Sequence, residues 1–353
     1  MASIHLIYPH KRINSAPNVI GWKIFDFLSK KYNVKVYNWD KFDIIVPNNG
    51  DILIGHPHPN PFTIFHRSFK NINWGKKIVL TPFNCDLKQN AFLDKYIYSA
   101  DIYAAITGNY WASKMHDSHF SHWAPKFKAI DLAVDRSVFP NLKKSFNQVG
   151  SRNIIYIGHT GWRKNTKYLE KIAAQNPDFT FYWCGKGKSL KGFIPLGYLN
   201  FDEKKSQEII SNMDFSITVG EFDANPTTIL ESMAWGIIPI CTKSSGYDIY
   251  DSIINVPLNN IEKVSEILKK LSIKSCDELY EIQKKNWDLL DLEFNWDIFL
   301  SKILNIIEEE KKETLIKINF KKRFFMLINE IKSPDFFLYP INIFRFIRSR
   351  FSK

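Results

Sequence analysis

The stretch Asp223-Ala-Asn-Pro-Thr-Thr-Ile-Leu-Glu231 sets two carboxylates eight positions apart, directly after an apolar strand-like run, Phe215–Val219. It runs into a helical pattern over Thr228–Ala234 that stops at Gly236. Asn225 reads as the helix cap and Pro226 as the first helical residue. The amides of Thr227 and Thr228 then lack intrahelical partners and offer a site for phosphate. Asp223 precedes the turn and Glu231 lies about one turn inside the helix, so each can hold hydroxyl groups beside that phosphate. Two hydroxyl-binding acids around a diphosphate cradle describe a nucleotide-sugar site. An ordinary acid-capped helix in a parallel α/β domain has the same local pattern.

A second segment supplies cations. Gly158-His-Thr-Gly-Trp-Arg-Lys-Asn165 follows the strand-like run Asn153–Ile157. Gly158 and Gly161 permit close approach of the backbone to a ligand, and Arg163 and Lys164 place positive charge beside it. No GxxxxGK[ST] is present, which excludes a P-loop. His56-Pro-His58-Pro follows another strand-like run, and its two prolines stiffen a loop able to position a polar group. His116, His119 and His122 recur at a spacing that drifts round a helix, which predicts a solvated face and no metal. No Asp-x-Asp ends a strand, so the expectation is no metal and no cofactor, with protein cations balancing a diphosphate.

Together these segments resemble the donor site of retaining glycosyltransferases with the GT-B fold, family 4 above all. That hallmark is acid-x7-acid, a small-residue helix and a Gly-hydrophobic-Pro strand, here Asp223, Glu231, Ser232–Gly236 and Ile237-Ile-Pro-Ile-Cys241. The first acid is Asp where Glu is commonest. The resemblance implies that Glu231 holds the donor ribose, Asp223 the sugar hydroxyls, and Lys164 with Arg163 the diphosphate. Arg163 departs from the usual Arg-x4-Lys spacing. It also implies that the Trp183–Phe193 region lies near the base, with Phe193 and Ile194 either touching it or packed in the core. Ser244-Ser-Gly-Tyr247 takes the place of a glycine-bearing loop near the sugar. The loop Arg12–Asn18 lacks the family's glycine pair, and no histidine stands near Phe83-Asn84 where the family carries one. His56 and His58 are the best substitutes. Net retention at the anomeric carbon, through an oxocarbenium-like transition state, is part of what the resemblance implies.

The elements that must position these groups are legible in the pattern. Strand-like runs at 4–8, 34–37, 51–55, 77–81 and 102–107 alternate with helical ones, as in a parallel sheet covered by helices. The alternation breaks near Asp135–Pro140, and the polar stretch up to Arg152 reads as a linker. A second series follows at 153–158, 179–184, 215–219 and 237–241, with helices at 167–174, 202–213 and 261–271. The predicted fold is α/β: GT-B, two Rossmann-like domains facing a central cleft, with a C-terminal helical extension. The boundaries are 1–143 for the acceptor domain, 150–296 for the donor domain, and 297–353 for a crossover helix and basic tail.

Composition fits that frame. The 353 residues are 45% hydrophobic and 15% aromatic, enough for two cores. Of the formal net charge of +12, residues 311–353 supply +8, from 11 Lys/Arg against 3 Asp/Glu. Cys85, Cys184, Cys241 and Cys276 have no close spacing and read as reduced thiols of a cytosolic protein. No apolar run has the length of a signal peptide or the roughly 20 residues of a membrane span. In the tail, Ile316, Phe320, Phe324, Leu327 and Ile331 fall on one helical face among Lys317, Lys321, Lys322 and Arg323. A second apolar run, 336–344, precedes Arg345, Arg348, Arg350 and Lys353. Residues 313–353 therefore suit an anionic membrane surface, at roughly 1 kcal/mol per basic residue. Nucleic acid is not expected as a partner, because no recognised nucleic-acid module surrounds the aromatics.

The expected partners are thus a nucleotide-diphosphate sugar, a glycan or lipid-linked acceptor and a membrane surface, with the protein peripheral on the cytoplasmic face. A nucleotide-sugar epimerase of the same fold, or a silent membrane-surface scaffold, are the alternatives.

Overall fold

The computed structural model describes residues 2–13, 15–311, 316 and 320–333. The apolar runs form two sheets of six strands, and every pairing in both is parallel. The first contains β1 (Ile4–Ile7), β2 (Val34–Tyr37), β3 (Ile52–Gly55), β4 (Lys76–Pro82), β5 (Ile102–Ile106) and β6 (Phe127–Ile130), in the order β2-β1-β3-β4-β5-β6. The second contains β7 (Asn153–Ile157), β8 (Thr180–Cys184), β9 (Ile194–Gly197), β10 (Phe215–Thr218), β11 (Ile238–Thr242) and β12 (Ile254–Val256), in the order β12-β11-β10-β7-β8-β9. Strands β1, β5, β10 and β11 are buried at every position, which is why they read as unbroken apolar runs and not as alternation.

Helices link the strands. With the first sheet go α1 (Ala16–Leu28), α2 (Ile64–Phe69), α3 (Leu87–Asn90), α4 (Asp94–Ile97) and α5 (Asn109–Lys114). The second has α6 (Thr166–Gln175), α7 (Lys204–Ser211), α8 (Thr227–Trp235), α9 (Ile261–Ser272) and α10 (Cys276–Leu292); α11 (Trp296–Glu308) and α12 (Phe320–Ile331) follow. Among the described residues no helix is long and apolar enough to cross a membrane.

The chain divides into two compact units. One takes the residues up to Thr107, Ala112–Ile130 and the described residues from Phe299; the other takes Gly108–Trp111 and Asp131–Ile298. The chain thus leaves the first unit at Ile130, earlier than residue 143, and α11 returns to it from Phe299. There the buried Lys76 donates through Nζ to the carbonyls of Ile306 (3.2 Å) and Ile307 (2.8 Å), satisfying the open C-terminal end of α11. The segment expected as a polar linker is instead packed. Leu142 and Lys143 donate their amides to Trp235 O (3.0 and 2.8 Å). Lys143 and Arg152 are buried around the carboxylate of Asp214, Lys143 Nζ at 2.9 Å. A buried carboxylate at the entry to β10 needs partners, and it draws those two cations inward.

Three strands escape the sequence pattern, and all lie at sheet edges: β6, β9 and β12. Strand β9 carries Pro195, which a central strand excludes. Helix α10 is also new, although Ser275 and Glu278 form a reciprocal capping box at its start. The three histidines do not share a solvated helical face. Helix α5 ends at Lys114 and tighter turns follow; His116 and His119 are exposed, His119 against Phe325, while half-buried His122 has Nε2 2.5 Å from Asp94 Oδ1. A carboxylate and a nearby indole, Trp123 Nε1 at 2.8 Å from the same oxygen, draw His122 inward.

Candidate functional site

The second sheet has a reversal in strand order between β7 and β10: the chain proceeds outward to β8 and β9 on one side, then to β11 and β12 on the other. Ligands of open α/β sheets bind beyond the carboxyl ends of the strands at such a point. Lys164 follows β7 and Asp223 follows β10, and Lys164 Nζ lies 2.5 Å from Asp223 Oδ2. Both side chains keep some exposure, 26% and 19%, so the pair is reachable by a ligand. Charges brought together at a switch point, one from each side, form an ionic site in which an incoming anion competes with Asp223 for the ammonium.

Helix α8 begins at Thr227, and its N-cap is Pro226, not Asn225. Asn225 is buried and its carboxamide is committed elsewhere, accepting from Leu132 N (2.7 Å) and donating to Asp131 Oδ1 (3.3 Å). Asn225 is therefore a clamp on the segment entering the second unit, and its expected contact with a ligand is withdrawn. The first bond into the helix is Ile229 N to Pro226 O (3.2 Å), which leaves no intrahelical acceptor for Thr227 and Thr228. Glu231, one turn further on, is hydrogen-bonded by the Thr227 side chain; burial nevertheless pushes its carboxyl up to about 7.

The glycines of the loop after β7 play a different part from the one their type implied. Gly158 N donates to Cys184 O (2.9 Å) and Gly161 N to His159 Nδ1 (3.0 Å), so neither amide is held for phosphate. They shape a double loop in which Thr160 N donates to Lys186 O (3.2 Å) and Thr160 Oγ1 accepts from Lys188 N (2.8 Å). Gly187, at φ +129°, lies so close that a Cβ would meet Thr160 Oγ1 at 2.0 Å. Arg163 is exposed beside Lys164. Phe193 is buried against Phe181, whereas Ile194 is 48% exposed on edge strand β9.

Two side chains support the site from behind. Ser244, in the loop expected near the sugar, is buried and donates through Oγ to Gly220 O (2.7 Å), fixing the start of the Asp223 loop. Trp111 Nε1 donates to Ser244 O (2.8 Å) and Asp223 O (3.3 Å), and its ring stacks on Phe222. One indole thus ties the two loops after β10 and β11 together. No local pattern marks Trp111, which lies more than a hundred residues earlier in the chain.

In the first unit the order reverses between β1 and β3, and His56 follows β3 at that point. Its ring packs edge-on against Tyr8, just beyond β1, and against Trp39 (4.8 Å), which also meets His58 (5.6 Å). Burial pushes His56 down to about 4, so it is neutral. Its Nδ1 lies 2.7 Å from Pro57 O, a carbonyl, so Nδ1 carries the proton and Nε2 is the acceptor. His58 is the reverse: Nδ1 accepts from Asn60 N (3.0 Å), which puts the proton of its neutral form on Nε2.

No protein-family model matches the chain, and no curated protein does. Solved structures do. Sucrose-phosphate synthase from Thermosynechococcus elongatus superposes with a TM-score of 0.64 at 11% identity, over 87% of this chain and 98% of that one. WaaG, a glycosyltransferase involved in lipopolysaccharide biosynthesis, gives 0.61 at 12%, over 87% and 100%. HepE from Anabaena, solved in complex with UDP and glucose, gives 0.59 at 11%, over 88% and 100%. At these identities the likeness is one of fold, and the fold is GT-B: two α/β domains, each on a parallel sheet.

Proposed function

We propose that this protein is a retaining, metal-independent glycosyltransferase that moves a sugar from a nucleotide-diphosphate donor to a glycan or lipid-linked acceptor. Its setting would be cell-surface polysaccharide synthesis, on the cytoplasmic face of the membrane. The observation that carries the reading is the Lys164–Asp223 pair at the switch point of the second sheet, next in the chain to the open amides of α8 and Glu231. The GT-B likeness to WaaG and HepE supports it.

The diphosphate draws Lys164 away from Asp223 and takes the amides of Thr227 and Thr228, with Arg163 alongside. Asp223, released, accepts hydrogen bonds from the sugar, and Glu231 from the ribose. The bond from the anomeric carbon to the diphosphate oxygen breaks with its electron pair on the leaving group, where Lys164 and the helix end stabilise the charge. The acceptor oxygen bonds the same carbon and gives its proton to the departing diphosphate. Neutral His56, with Nε2 as acceptor, orients a hydroxyl in the first unit, with His58 as the complementary donor.

Incubating the protein with a panel of UDP-, GDP- and ADP-sugars and following the anomeric configuration of the product by NMR tests the whole reading. Transfer with retention, lost in Lys164→Ala and Glu231→Ala, is expected. Turnover that both variants preserve would sink it.

A further inference from the structure

Helix α12 lies on the first unit with its apolar stripe turned outward. A surface helix of a soluble protein ordinarily buries that stripe. Here Phe320, Phe324, Leu327 and Ile331, on one face at positions i, i+4, i+7 and i+11, are 82%, 52%, 50% and 44% exposed. The side that packs is mixed. Met326 is its one fully buried helical residue, and the helix rests on the segment Leu87–Leu93. Polar contacts fix this orientation: Glu330 pairs with Lys95 (2.6 Å), Lys322 Nζ donates to Ser121 Oγ (3.3 Å), and Arg323 lies over the Tyr98 ring (4.9 Å). Of the expected apolar face only Ile316, ahead of the helix, is buried; the rest of the tail reading, at 313–315, 317–319 (with Lys317) and 334–353, lies outside the described residues.

We propose that the outward face of α12 is a docking surface for an anionic lipid bilayer, lying in the interface plane with its aromatic stripe among the headgroups. Charge selects this occupant. Lys321 and Lys332 are exposed along one edge of the stripe, and residues 311–353 carry a net +8. Phenylalanines bordered by lysines match a surface that is apolar below and negative above. The proposal deepens the reading above by naming the surface that brings the protein to its acceptor, and its test does not depend on turnover.

The test is flotation of the full chain with phosphatidylcholine vesicles, with and without phosphatidylglycerol. The wild type is expected to float with the anionic vesicles alone. Phe324→Asp with Leu327→Asp, at exposed positions that leave Met326 in place, is expected to weaken binding about tenfold or more at unchanged Tm. Lys321→Glu with Lys332→Glu is expected to erase the preference for anionic lipid at unchanged Tm. Equal flotation of the aspartate variant, or none by the wild type, overturns the proposal. So does a dimer that the aspartate variant dissociates in the absence of vesicle binding, which would assign the face to a second copy.

Discussion

Lys164 and Asp223 neutralise each other before any ligand arrives, and that has a measurable consequence. Asp223→Asn removes the competitor for the ammonium, so a free nucleoside diphosphate is expected to bind several-fold more tightly by calorimetry. Sugar transfer should fall in the same variant by about a hundredfold, because the carboxylate that receives the hydroxyls is gone. A loss of both would mean that Asp223 only holds the loop. Glu231 carries a pH signature. Burial raises its carboxyl to about 7, above the ordinary carboxylate value that it has in the unfolded chain. Its contribution to stability is therefore complete at acid pH and is lost as pH rises through about 7. Ribose hydroxyls donate best to the ionised form, so donor affinity should increase on the way from pH 6 to 8, by up to about tenfold per pH unit below that value. Glu231→Gln should flatten the profile; an unchanged slope would remove Glu231 from the donor site.

At the scale of elements, helix α8 is the part on which the site depends, and its far end is as constrained as its start. Gly236 terminates it at φ +88°, and a Cβ there would lie 2.6 Å from Gln283 Nε2. That amide already donates to Gly236 O (2.7 Å) and Lys143 O (3.2 Å). Gly236→Ala is expected to cost about 1–3 kcal/mol by chemical denaturation, through backbone strain and displacement of α10. A neutral result would show that the helix end tolerates an alternative cap. What the sequence showed of the elements follows burial. Strands covered on both faces stand out as apolar runs, while the edge strand β9, with three of its four residues exposed, gives no such signal. Asn225 was misread as a cap because its local chemistry suits one; its carboxamide answers to Leu132 and Asp131, partners more than ninety residues away.

On the scale of the molecule, the donor chemistry is assigned to loops of the second unit alone. Hydrogen exchange with a saturating nucleotide sugar should therefore slow at 158–165, 185–188 and 223–231, while the sheet of the first unit is unaffected. At a hundredfold excess over Kd, the donor should raise the stability of the unit it binds by about 2.7 kcal/mol. Protection confined to the first unit would overturn the assignment.

The order of residues by itself determined the α/β class, the two series of strands and the acid-rich turn, because each is a short-range pattern of polarity and conformational preference. Only the tertiary structure decided that Lys164 meets Asp223, that Trp111 ties two loops together, and which side of α12 faces water. Those outcomes depend on which distant groups compete for the same hydrogen bonds and the same buried space, and a linear pattern carries no record of that competition.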